Sequence, residues 1–71
     1  MKKISVSLSG HQTSISLEED FISALNNIAR HDKMSIASII QDIDDKRSPE
    51  SNLSSAVRSY ILHRYMQSAK L

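Results

Sequence analysis

The chain has no cysteine, no tryptophan, one glycine, one proline and one phenylalanine in 71 residues. Without cysteine, neither a disulfide nor a thiolate metal site can staple it. A single glycine excludes a glycine-rich phosphate cradle. No apolar run approaches the roughly 20 residues of a membrane span. Met1-Lys2-Lys3 leads into alternating residues rather than an apolar block, so no signal peptide is visible. A cytoplasmic location with no membrane partner is expected. The formal net charge of +1 neither demands nor excludes a polyanionic partner. A chain of this length is one domain, and such chains bury only about 60% of their unfolded surface. With the covalent staples excluded, oligomerisation is the remaining standard remedy.

Catalytic groupings are equally scarce. His11, His31 and His63 are far apart and none has a histidine three or four residues away. Asp42, Asp44 and Asp45 lack the alternation and central glycine of a calcium loop and read as a solvated acidic helix end. The many serines include no G-x-S-x-G turn. The chain is therefore read as a non-enzyme with no catalytic residues, no metal site and no cofactor.

What is present is 39% apolar residues in two clear periods. In Thr13-Ser14-Ile15-Ser16-Leu17, apolar and hydroxyl side chains alternate, which gives a strand over 12–17 with one apolar face. Everything downstream reads helical, and a lone strand cannot satisfy its backbone groups. The simplest completion is the same strand of a second copy, in a symmetric homodimer. Upstream, Ile4, Val6 and Leu8 alternate with Ser5, Ser7 and Ser9, and Gly10-His11-Gln12 follows as a separator. Residues 1–10 thus read either as an N-terminal arm or as an extra strand covering an edge of the ribbon.

Helix one is expected over 18–31. Ser16 and Glu19 have capping-box spacing, and Phe21, Leu25, Ile28 and Ala29 form one apolar stripe. Helix two follows over 35–46, with Ser35 as N-cap and Ile36, Ile39, Ile40 and Ile43 as its stripe. Ser48-Pro49-Glu50-Ser51 reads as a loop. Ser51 or Asn52 then caps helix three over 53–68. Leu53, Ala56, Val57, Tyr60, Ile61 and Tyr65 mark its buried face, and Arg58, His63, Arg64 and Lys70 its basic outer face.

Strand, helix, short turn, helix: the run Thr13–Phe21, then Leu25-Asn26-Asn27-Ile28-Ala29 and Met34–Ile40, resembles the ribbon-helix-helix family of β-ribbon DNA readers (the Arc and MetJ type). The likeness covers about residues 12–44. The flanking text, Ser7 to Ser14 and Asn52 to Arg58, is similar to a bacterial subgroup of small stand-alone members. The fold this implies is mainly α with a short β-ribbon: a ribbon-helix-helix homodimer with a C-terminal third helix and an extra N-terminal strand or arm.

The resemblance also implies roles. Paired strands would lie in the major groove of double-stranded DNA, with Gln12, Ser14 and Ser16 reaching base edges. The start of helix two, Met34, Ser35 and Ile36, would hold a phosphate through backbone N–H groups, with Arg30 and Lys33 beside it and Lys2 and Lys3 reaching the backbone. Ile15, Leu17, Phe21, Leu25, Ile28, Ile36, Ile39, Ile40 and Ile43 would form an intersubunit core. Lys33 stands at a turn position often occupied by glycine, so a left-handed backbone there carries a cost. The function expected is a small transcriptional regulator with modest sequence preference, its dimers open to higher-order assembly. The alternative is a protein-interaction module, such as an antitoxin-like dimer that binds a protein partner through helix three.

Overall fold

Ser9 and Gly10 reverse the chain between two seven-residue strands, β1 (Lys2–Leu8) and β2 (His11–Leu17). Both turn residues have positive φ, 49° and 82°. That pattern belongs to the two-residue type I′ hairpin, whose twist matches that of the strands it joins. The computed structural model describes residues 1–69. In it β1 and β2 form a two-stranded antiparallel sheet. The register pairs Lys2 with Leu17, Ile4 with Ile15, Val6 with Thr13 and Leu8 with His11. Residues 2–8 are therefore a strand rather than an arm. They correct the premise that β2 lacks a partner within its own chain: one of its edges is completed by β1.

The chain passes from Leu17 into α1 (Glu19–Asp32) through Glu18 as N-cap. Ser16 remains in β2 and Glu18 makes no side-chain cap bond, so the expected capping box does not form. Acidic Glu19 and Asp20 in the first turn, and Arg30 and His31 in the last, suit the helix dipole. Lys33 ends the helix in the left-handed conformation, φ 56° and ψ 42°. The N–H of Lys33 donates to the Arg30 carbonyl and that of Met34 to the Ala29 carbonyl, at 3.3 and 3.0 Å. These are the two bonds of a Schellman stop.

Ser35 caps α2 (Ile36–Lys46), its hydroxyl accepting from the Ser38 N–H at 3.0 Å. In the loop that follows, Arg47 bonds the Asp44 carboxylate at 2.8 Å and the Ser51 carbonyl at 2.6 Å. Asn52 accepts from the Ser55 N–H at 3.2 Å and so starts α3 (Leu53–Ala69). Lys70, expected on the outer face of helix three, lies outside the described residues.

The buried residues of the chain form one cluster. Val6, Leu8, Ile15 and Leu17 from the sheet meet Leu25 and Ile28 of α1, Ile39, Ile40 and Ile43 of α2, and Val57 and Ile61 of α3. Phe21 and Ile36 pack at its margin, partly exposed. Two features of α3 differ from expectation. Tyr65 is exposed, while Arg58 and Arg64 are half-buried and paired with acids of other elements. The helix is apolar on two sides: Val57 and Ile61 face inward, and Leu62, Tyr65 and Met66 remain 56%, 43% and 40% exposed. No helix among the described residues is long and apolar enough to cross a membrane.

Candidate nucleic-acid interface

Because directly opposed residues in an antiparallel pair share a face, the register sorts the hairpin into two surfaces. Ile4, Val6, Leu8, Ile15 and Leu17 point at the helices. On the other face stand three polar pairs: Lys3 with Ser16, Ser5 with Ser14, and Ser7 with Gln12. All six are exposed except Ser16, which is half-buried. The Ser5 and Ser14 hydroxyls approach to 3.5 Å across the strands. Gln12, Ser14 and Ser16 thus lie in one row, as the strand's alternation requires, but they are only half of the surface. Lys3, Ser5 and Ser7 complete it. The missed signal was Ser9-Gly10: a two-residue turn there sets the pairing directly, since Leu8 must then face His11.

This face carries no acidic side chain. The acids at its open end are matched by cations: Glu18 accepts from Arg58 at 2.9 Å, and Lys2 lies 3.7 Å from Glu19. The Arg58 guanidinium, chiefly through that hydrogen bond, holds the Glu18 carboxyl below its ordinary range.

The second group of expected residues surrounds the α1–α2 turn. Lys33 and Arg30 are exposed, and Arg30 donates to Asn27 Oδ1 at 2.8 Å. Neither takes part in an ion pair among the described residues. The Met34 N–H is already committed to the Ala29 carbonyl and the Ser38 N–H to the Ser35 hydroxyl. The backbone donors left at the start of α2 are those of Ser35, Ile36 and Ala37, the orphan groups of any helix N-terminus. Among the described residues no side-chain hydrogen bond or ion pair joins this turn to the ribbon, so the expected residues fall into two separate groups.

One acid adjoins that turn. Asp32 receives both Nη atoms of Arg64, at 2.5 and 2.8 Å, and lies 3.0 Å from His31 Nδ1. Arg64 also donates to the Tyr60 hydroxyl at 2.8 Å, its guanidinium 5.8 Å from the ring centre. Arg64 first, and His31 after it, holds the Asp32 carboxyl well below the usual carboxylate range. A bidentate pair of this kind fixes orientation as well as charge. It ties α3 to the end of α1 and neutralises the carboxylate beside Lys33.

Comparison with protein families matches residues 1–65 to the model described as ribbon-helix-helix domain. The matched span includes β1 and most of α3, well beyond residues 12–44. Comparisons with curated proteins and with solved structures give no match.

Proposed function

The chain belongs to the ribbon-helix-helix family, and from that membership we propose that it is a homodimeric, sequence-preferring DNA-binding protein that acts as a small cytoplasmic transcriptional regulator in a bacterium. The family is in general one of DNA-binding regulators, commonly dimeric and typically not enzymes. The observation that carries the finer reading is the acid-free polar face of the β1–β2 ribbon. A two-stranded ribbon is one of the two elements that the major groove admits. Serine and glutamine on it supply both donors and acceptors for base edges.

In this reading Gln12, Ser14 and Ser16 contact bases, while phosphates meet Arg30, Lys33 and the free amides of Ser35 and Ile36. Lys2 adds charge at the ribbon's end. Phosphate contacts provide most of the affinity and the short ribbon side chains a modest preference. Ile15, Leu17, Leu25 and the α2 isoleucines then hold each protomer's reading surface in shape.

The test is binding of the purified protein to the DNA upstream of its own gene and to a random duplex, at low and physiological salt. The expected result is upstream binding that survives physiological salt, with random DNA at least about a hundredfold weaker. Weak binding to both that disappears with salt overturns this reading. It leaves the second one, a protein-interaction module working through helix three. The exposed Leu62, Tyr65 and Met66, at i, i+3 and i+4 spacing on α3, favour that alternative.

A further inference from the structure

We infer that Arg64 of α3 is a positioning residue for DNA binding: it touches no phosphate itself but cancels the Asp32 carboxylate beside the α1–α2 turn, so that the turn stays cationic and can accept the DNA backbone. This rests on the DNA-binding reading above and adds to it a role for the third helix.

Asp32 is the one acid in residues 30–38, the segment that carries Arg30, Lys33 and the start of α2. It stands three residues before the Ser35 cap, so the two Cα atoms are at most about 11 Å apart. That is close to the Debye length of about 10 Å at 0.1 M salt and well inside the length of about 30 Å at 0.01 M. A bare carboxylate there repels a phosphate held by Lys33 and the amides of Ser35 and Ile36.

The compensating charge comes from a different helix. Both Nη atoms of Arg64, 32 residues along the chain, donate to the carboxylate at 2.5 and 2.8 Å. Tyr60 steadies the guanidinium: its hydroxyl accepts from Arg64 at 2.8 Å, and its ring centre lies 5.8 Å away. The Arg64 and Asp32 side chains are 29% and 22% exposed, so solvent ions screen the pair less than they screen surface charges. His31 is the other group on the carboxylate, 3.0 Å away, but it is charged only when protonated. Arginine is always charged, so Arg64 supplies the permanent countercharge. With both Nη atoms committed to Asp32 and Tyr60, it acts on DNA through the carboxylate it neutralises.

The experiment measures the affinity of the full-length protein for the duplex upstream of its own gene and for a random duplex, at about 50 and about 200 mM salt. The variants are Arg64→Gln, Asp32→Asn and the double variant Asp32→Asn/Arg64→Gln, with helix content checked by circular dichroism. Arg64→Gln should weaken both duplexes about two- to tenfold at the lower salt. The loss should shrink at the higher salt, because repulsion is screened and a packing defect is not. The double variant should return to wild-type affinity, since the carboxylate is gone even though the tie between α1 and α3 is gone too. Asp32→Asn alone should bind at least as tightly as wild type. If the double variant stays as weak as Arg64→Gln, Arg64 is a direct phosphate contact or a strut, and the inference fails alone. Where an Arg64 variant does not fold, Asp32→Asn decides: binding weaker than wild type overturns the inference, and equal or tighter binding supports it. If the wild-type protein binds neither duplex at the lower salt, the DNA-binding reading fails and takes the inference with it.

Discussion

Ser9 and Gln41, 32 residues apart, exchange two hydrogen bonds: the Ser9 N–H donates to Gln41 Oε1 at 2.8 Å, and Gln41 Nε2 donates to the Ser9 hydroxyl at 3.3 Å. Ser9 is a non-glycine residue at φ 49°, a conformation that L residues adopt only at a cost. The amide of Gln41, itself steadied by Asp45 at 2.8 Å, offsets that cost from outside the hairpin. It also fixes the tip of the ribbon on α2.

Gln41→Ala should therefore loosen the turn without unfolding the helices. Each lost hydrogen bond contributes about 0.5–1.5 kcal/mol. The drop appears as a lower urea midpoint and as faster amide exchange in β1 than in α1. Unchanged exchange in β1 would show that the turn holds itself.

Lys33→Gly separates stability from binding. At φ 56° glycine avoids the steric penalty that lysine bears, so the variant should gain up to about 1 kcal/mol and melt at a higher temperature. The same change removes an exposed cation beside the start of α2. DNA affinity should fall for every sequence, and the salt slope should flatten by about one charge. A parallel rise or fall of both properties would count against the phosphate role.

The pair of Asp32 and Arg64 makes stability depend on pH with a defined sign. The Asp32 pKa is depressed from its ordinary value near 3.8. Its contribution is fully present above that value and is lost as pH falls through the lower, folded value. Asp32→Asn should be less stable than wild type near neutrality. The gap should narrow steadily as the pH is lowered from about 4 to about 2. Urea titrations of both proteins across that range measure it; a gap independent of pH would assign the loss to packing instead.

Ile61→Ala tests whether α3 closes the core of its own chain. Ile61 is 3% exposed. Its truncation should cost about 2–5 kcal/mol, against a total of about 5–15 kcal/mol for a typical domain. Cooperative unfolding that moves by much less would mean that α3 only rests on the remainder.

Much of this was legible along the chain. The alternation in 13–17, the Ser35 cap, the isoleucine stripe of helix two and the start of helix three after Asn52 are local signals that act within four residues. They appear in the structure because nothing more distant opposes them. Other features were not legible from local pattern. Ser16 and Glu19 have capping-box spacing, but pairing with Lys3 holds Ser16 in the sheet. Arg58 and Arg64 read as an outer basic face, yet their long side chains reach Glu18 and Asp32 on elements 40 and 32 residues away.

The amino-acid sequence by itself determined the element types and the family, because hydrophobic period, caps and breakers are properties of neighbouring residues. It also determined that one face of each strand is polar. Only the tertiary structure decided that residues 2–8 complete one edge of β2, since the alternation along a strand does not say which strand lies beside it. The decision lies in the two-residue turn and in the burial of Val6 and Leu8 against the helices. That choice brings Ser5 and Ser7 beside Ser14 and Gln12, doubling the polar surface a single chain presents.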